Sequence, residues 1–494
     1  MHTHARHIAL AALALAFAGD VLLRGGESRL GITLLVALVA ASALLIAPRT
    51  QQADARRERT LLLAGMLLAA TGLVLRDAEV LYAIDILSVL CMAALAVLRG
   101  SGTRLAQLQV LDAPRAAVLS VITALLGAPD VLRSAVRPAH GTAGNERAAI
   151  DQAGSAPAPA VRTRALAIGM VLAAPPLLLV LVLLSAADHV FGRALTNIGD
   201  VFARDGMQHL VTIVVLAWIA TGWLRGTLDG PAVVRVPDMR SPGLPFASAG
   251  VALYGLVALL TLFLGTQLRV LFGGAAYLRA TVGLTVADYA REGFLQLVVV
   301  SAIVLATLVA ADWLLTPNDG ARRRYRAVGV LLVGLVAALL VSAATRLALY
   351  VTHFGLSTDR VIATAIMVWV IAAFATFSVT MLRGRGARFA PAMLLVTIGW
   401  VALLNAANPE AIVARVNLAR AADGTLFDAP YHATLSADAL PALRAGAATL
   451  PAADCTALAQ GLRAARAKRA PERRDWRTLS LPYARGAGEV SCDK

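Results

Sequence analysis

Apolar runs long enough to cross a bilayer recur along this chain from its N-terminus to about residue 407, and then stop. Segments 166–187, 249–268, 294–315 and 327–344 are each close to the ~20 residues that a helix needs to traverse ~30 Å of hydrocarbon. No water reaches backbone amides at that depth, so each run must close its hydrogen bonds within itself, as a helix. Hydrophobic residues make up 59% of the chain, above the ~45–50% of a soluble domain, so the bilayer is expected to take the place of a large core. The expected fold class is all-α: a polytopic integral membrane protein with about eleven transmembrane helices and a small α-rich extracytoplasmic C-terminal tail.

The runs predict helices at 7–23, 29–47, 61–75, 80–98, 165–187, 208–224, 247–268, 293–315, 327–350, 360–382 and 389–407. Orientation follows from Lys and Arg in the connections. With a cytoplasmic N-terminus, the inner segments hold 23 basic residues and the outer loops nine. The inner set includes Arg56, Arg57 and Arg59, then Arg322, Arg323, Arg324 and Arg326, then Arg383, Arg385 and Arg388. The expected topology is therefore N-inside and C-outside. Segment 61–75 is short for a span, but removing it would invert the arginine bias. Ala16-Phe17-Ala18 resembles a signal-peptidase site; an uncleaved first helix is the favoured reading, and cleavage would leave the remaining topology unchanged. The formal charge of +15 is explained by these loops, and no nucleic-acid-binding motif accompanies it.

Four sections are expected: a four-helix N-terminal membrane section over 1–98, a cytoplasmic stretch over 99–164, a seven-helix membrane section over 165–407, and the extracytoplasmic tail over 408–494. Within 99–164, Ala116–Leu126 reads as an interfacial or re-entrant helix ending at Gly127 and Pro129. Residues 140–162 read as a flexible linker rich in Gly, Ala and Pro. The tail holds Cys455 and Cys492. The arginine bias places both outside the membrane, where disulfides persist, so a Cys455–Cys492 bond is expected. Cys91, in the fourth helix, reads as a small apolar residue.

Several polar residues lie within or beside the spans. Asp20, Asp312 and Arg346 stand near helix ends, where long or charged side chains reach water; Asp85 is the strongest intramembrane candidate. Pro175-Pro176 marks a break or kink in the fifth helix. Trp218, Trp223 and Trp313 read as interfacial anchors. His189, His209, His353 and His432 show no ligand spacing, so no metal and no cofactor is expected. No phosphate-binding loop, His-Glu-x-x-His, Gly-x-Ser-x-Gly or dinucleotide fingerprint is present, which argues against a soluble-type enzyme.

Further segments carry a resemblance. They are Gln267-Leu268-Arg269, Leu271-Phe272-Gly273-Gly274, residues 283–294 with Asp288, Tyr289 and Arg291, residues 349–360 ending in Ser357-Thr358-Asp359-Arg360, Asn408-Pro409-Glu410, Ala414-Arg415-Val416-Asn417, residues 435–443, and Asp475-Trp476-Arg477. Together they resemble the bacterial inner-membrane family catalogued as domain of unknown function 4173, with 4153 as a relative, over roughly 165–480. Val286 and Glu292 depart from that family's pattern, which puts any role for them in doubt. The resemblance implies a multi-pass inner-membrane location and no activity.

Combined with the topology, the resemblance puts these polar segments on one outward side. An outward-facing ligand site is expected from Arg269, Asp288, Tyr289, Arg291, Asp359, Arg360, Asn408, Arg415 and Asn417. Arginine forks suit an anionic ligand or a lipid headgroup. In the alternative, the same groups pair among themselves and clamp the tail to the loops. The leading functional reading is a non-enzymatic envelope protein that binds, senses or scaffolds at the outer face, with the lipid bilayer as its constant partner. A transporter of a small or anionic solute, or a membrane enzyme acting on an anionic lipid-linked substrate, is the alternative.

Overall fold

The computed structural model describes residues 2–24, 28–47, 53–109, 112–136, 205–230, 242–281, 294–316, 318–469, 475–485, 490 and 492. Among them there are helices and turns but no strand; the extended pairing is a single bridge between Leu244 and Leu315. Ten helices among the described residues are long and apolar enough to cross a membrane. The expected helix at 165–187, with its Pro175-Pro176 break, lies outside the described residues, as does the expected linker at 140–162. The surfaces of the spans are apolar: Leu45, Val251, Leu262 and Leu395 are all strongly exposed, as lipid-facing side chains of a membrane protein are.

The chain packs as two compact units. The first holds residues 1–67, 90–103 and 113–235. Its helices are α1 (His2–Leu22), α2 (Arg29–Ile46), the start of α3 (Ala53–Leu75), the end of α4 (Glu79–Gly100), α5 (Asp112–Val136) and α6 (Asp205–Asp229). α3 begins eight residues before the expected boundary. Its extra turns carry the basic residues Arg56, Arg57 and Arg59, and Glu58 pairs with Arg99 of α4, so with 23 residues the helix is long enough to span.

Glycines set the packing of α6. A Cβ at Gly222 would lie 2.2 Å from the Thr123 carbonyl oxygen, and one at Gly226 would meet the Thr123 side chain at 3.1 Å. This Gly-x-x-x-Gly pair lets α5 and α6 approach backbone to backbone, as small residues do in membrane bundles. α5 also runs through Gly127 and Pro129 to Val136 instead of ending there. Proline at 129 leaves the Leu125 carbonyl without its helical donor. The Trp218 indole donates to that oxygen at 2.9 Å, which supplies the missing bond. Trp223 similarly donates to the Ala93 carbonyl at 3.1 Å. Both tryptophans therefore join helices, where their positions in the sequence suggest interfacial anchors.

The second unit holds residues 68–89, 104–112 and 236–494. Its membrane helices are α7 (Phe246–Thr281), α8 (Phe294–Leu314), α9 (Asp319–Phe354), α10 (Thr358–Thr380) and α11 (Phe389–Ala407), with the adjoining ends of α3 and α4. Leu253, Val304, Leu308, Leu332, Val336 and Phe377 interlock at its centre. Tyr325 is buried there and donates its hydroxyl to the Leu308 carbonyl at 2.9 Å. α9, α10 and α11 alternate in direction. Arg322, Arg326 and residues 383–388 lie at one end, and Arg322 pairs with Asp312 at 3.0 Å. Residues 352–358 and 405–408 lie at the other end.

The tail packs on that second end. It folds as α12 (Pro409–Ala422), α13 (Ala429–Thr434), α14 (Leu440–Gly446), α15 (Ala452–Arg469) and α16 (Leu481–Arg485). Val413, Leu418, Leu443, Leu450, Cys455 and Leu458 form its core, and Leu356 and Val361 from the membrane helices pack into it. Each such side chain contributes about 1.5–3 kcal/mol when fully buried. Cys455 and Cys492 are joined by a disulfide, with Cα atoms 5.9 Å apart. Cys91 is a free, exposed thiol.

Candidate functional site

Where the tail meets the helix ends, buried polar groups bind them together. The turn between α3 and α4, Arg76-Asp77-Ala78, starts a new helix and so presents backbone N–H groups without partners of their own. The Asp438 carboxylate fills that role, its Oδ2 accepting from the N–H of Asp77 at 2.7 Å and of Ala78 at 2.9 Å. Asp77 returns the contact. Its Oδ2 accepts from the N–H of Ala437 at 3.3 Å, and its Oδ1 from the Ser480 hydroxyl at 2.8 Å. Arg76 lies 3.7 Å from Asp438 Oδ1 and donates to the carbonyls of Asn405 and Ala406. Glu410 Oε2 accepts from the Ser436 N–H at 2.6 Å.

Asp77, Glu410, Asp438 and Ser480 are all buried. Burial pushes the Asp438 carboxyl above its ordinary range, against the pull of the two N–H donors and of Arg76. Burial raises the Glu410 carboxyl too, against the Ser436 donor, and the nearby Asp438 and Asp77 charges add to the rise. Three buried carboxylates close together would be costly if all were charged.

A second contact lies between the α9–α10 turn and the tail. Asn417 Oδ1 accepts from the Leu356 N–H at 2.8 Å, while its Nδ2 donates to the Leu356 carbonyl at 2.7 Å and to His432 Nε2 at 3.0 Å. Gly355 has φ of +76°, and a Cβ there would lie 2.9 Å from Asn417 Oδ1, so glycine is needed for both backbone conformation and space. The geometry assigns the His432 tautomer: Nδ1 carries the proton and donates to the Asp428 carbonyl at 2.7 Å, leaving Nε2 to accept. Burial lowers the His432 pKa, the Asp428 contacts opposing it. The imidazole is also stacked on Phe427, with ring centroids 4.3 Å apart.

The expected site residues divide accordingly. Asn408, the one non-glycine with positive φ among the described residues, caps α12 through Ala411 and donates to the Asp438 carbonyl at 3.1 Å. Arg360 closes the end of α9, donating to the carbonyls of Phe354 and Gly355 with its guanidinium 4.2 Å from the centre of the Tyr350 ring. Asp359 and Arg415 are exposed. Asp288, Tyr289 and Arg291 lie outside the described residues, and Arg269 falls in α7 where its side chain is not described. Asn408, Arg360 and Asn417 thus hold backbone and tail together.

Asp85 is fully buried, and its Oδ1 accepts from Asn405 Nδ2 at 2.9 Å. Gly72 makes room for it: a Cβ there would lie 2.2 Å from Asp85 Oδ2. Standing six residues into α4, Asp85 is about 9 Å along the helix, on the side of the Asp77–Asp438 contact and away from mid-span. Sequence reasoning missed Arg76, Asp77, Glu410, Asp438, Ser480 and Asn405 as a group. The available signal was a charged four-residue turn between two apolar helices and an acid in Ser436-Ala437-Asp438, and neither names its partner.

The fold and this junction define a class: polytopic helical membrane proteins whose C-terminal tail is built onto the ends of the spans. The family described as "Domain of unknown function (DUF4153)" matches residues 63–446, and the chain belongs to that family. The match reaches further toward the N-terminus than the resemblance read from the sequence, taking in the later part of α3, all of α4 and the Arg76-Asp77-Ala78 turn. It is to the relative, and family 4173 is not the one matched. No curated protein and no solved structure matches the chain.

Proposed function

We propose that this protein is a non-enzymatic envelope component of the bacterial inner membrane, with a cytoplasmic N-terminus and a periplasmic tail that binds, senses or scaffolds. The observation that carries the reading is the reciprocal Asp77–Asp438 contact, with Asn417–Leu356 beside it. A tail joined to span ends by buried hydrogen bonds moves with them, which a sensor or scaffold requires. Orientation is supported by two independent features, the arginine asymmetry and the disulfide. The arginine-poor helix ends carry the tail, the arginine-rich ends lie opposite within the same unit, and the tail holds a disulfide, which persists in an oxidising compartment. The likeness of segments 267–274 and 283–294 to family 4173 belongs to this reading, as kinship between two envelope families.

The test has two parts. In spheroplasts, an impermeant maleimide is expected to label Cys455 and Cys492 only after reduction; labelling that requires an opened membrane would overturn the topology. In a deletion strain scored for envelope integrity, wild-type protein is expected to restore resistance to detergent, and a chain cut before residue 409 is not. Full rescue by the truncated chain would remove the tail from the function.

A further inference from the structure

A groove of about 270 Å³ runs through the tail between α14 and α15, with Tyr483 of α16 in its lining. Arg444, Arg463, Arg466 and Arg469 line it, and among the described residues no carboxylate does. The last three recur every third residue along α15 and so share one face of that helix. The groove's apolar lining includes Leu440 and Leu462. Ser436 and Ala437 also line the groove, and their N–H groups donate to Glu410 and Asp77.

We propose that this groove binds an amphiphile bearing a phosphate group, its anion held by the arginines and its apolar body laid on Leu440 and Leu462. Arg444 and Arg466 also hold contacts of their own, and Arg469 donates to the Thr434 carbonyl; arginines grouped along one groove still match a group with more than one negative charge and several acceptor oxygens, such as phosphate or pyrophosphate, better than a lone carboxylate. The apolar lining excludes a purely polar anion as the best occupant, because such a ligand would leave that surface wet. The groove shares Ser436-Ala437 with the Asp77–Asp438 junction, so an occupant would lie beside peptides that hold the turn between two membrane helices. The inference rests on the reading of the tail as a binding or sensing module, and it names the ligand class of that module.

The experiment uses full-length protein in phosphatidylcholine nanodiscs, with dodecyl phosphate as probe and dodecyl maltoside as the uncharged control. Photocrosslinking with a diazirine derivative of the probe maps the contact by peptide. Labelling in α14 and α15 is expected. The R463Q/R466Q variant, altered at two exposed positions, is expected to bind at least about tenfold more weakly, as loss of charge-assisted hydrogen bonds implies. R324Q, exposed near the start of α9 and outside the groove, is expected to bind as wild type does. An unchanged melting temperature of the unliganded variants shows that they fold. Phosphatidylglycerol in the nanodisc distinguishes the sources: competition with the probe assigns a lipid headgroup, and its absence a free phosphate amphiphile. Equal binding of dodecyl maltoside, unweakened binding by R463Q/R466Q, or inorganic phosphate binding as tightly as the probe would each overturn the proposal. Binding to purified protein does not depend on membrane orientation, so a failure here and a failure of the maleimide labelling are separable.

Discussion

Asp77 and Asp438, separated by 361 positions in the chain, each accept a hydrogen bond from the backbone beside the other. Each carboxylate thereby satisfies amides at the start of a helical turn, and the two caps together fasten the tail to the α3–α4 turn.

Replacing Asp438 by alanine leaves the N–H groups of Asp77 and Ala78 buried without acceptors, at about 1–3 kcal/mol for each. Asp438→Ala is expected to destabilise the tail by about 2–6 kcal/mol and to open it to protease. Asp438→Asn keeps an oxygen in place and matches a carboxyl that burial already inclines towards neutrality, so it should retain most of the stability. Limited proteolysis of the tail, with intact mass as readout, compares the two; equal protection in both variants would exclude the capping role.

The His432 contact makes tail stability depend on pH. Its pKa is lowered on folding from the ordinary 6.5, so the unfolded state binds more protons as pH falls below that value. Stability is therefore full above about pH 6.5 and is lost as pH drops through the folded value. Glu410 and Asp438 act in the opposite sense. With raised pKa values, their contribution is largest at low pH and declines as pH rises through those values. His432→Phe, which keeps an aromatic ring beside Phe427, is expected to remove the histidine part of the slope. The difference between the wild-type and variant unfolding curves across pH 7 to 5 isolates it.

Glycine substitutions should separate close packing from lipid-facing surface. At Gly222 a Cβ would strike two backbone carbonyl oxygens, those of Thr123 at 2.2 Å and Ala124 at 2.7 Å. Gly222→Ala is expected to cost about 1–3 kcal/mol from overpacking. At Gly399 in α11 a Cβ would meet nothing within 4 Å; Gly399→Ala is expected to be neutral or to stabilise by up to about 1 kcal/mol. Thermal aggregation of the detergent-solubilised variants provides the comparison.

The disulfide closes a sequence separation of 37 residues. A loop of that length corresponds to about 3–4 kcal/mol of chain entropy in the unfolded tail. Cys455→Ala together with Cys492→Ala should lower tail stability by that order, and reductant should do the same to wild type. A reduced protein as protease-resistant as the oxidised one would mean that the hydrogen-bonded junction and the Leu443–Leu458 core suffice.

Much of the architecture was legible in the residues. α2, α4, α8, α10 and α11 begin and end within about two residues of where hydropathy places them, because a span satisfies its own backbone and its limits depend on local composition. α3 departs because Arg56, Arg57 and Arg59 stay helical beyond the apolar stretch. α5 departs because Trp218, distant in sequence, repairs the break at Pro129. Of the candidate site, Asn408, Arg360 and Asn417 were recognisable as polar residues near the tail, but their action on backbone groups was not.

What the sequence determined alone is therefore the set of properties that each segment carries by itself: helices of membrane length, a polar tail after them, and arginine sorted between alternate connections. The tertiary structure alone decided which polar groups serve one another. Asp77 with Asp438, Asp85 with Asn405, and Asn417 with Leu356 are pairs whose energy comes from burial and directed hydrogen bonds, and both exist only once distant segments have met.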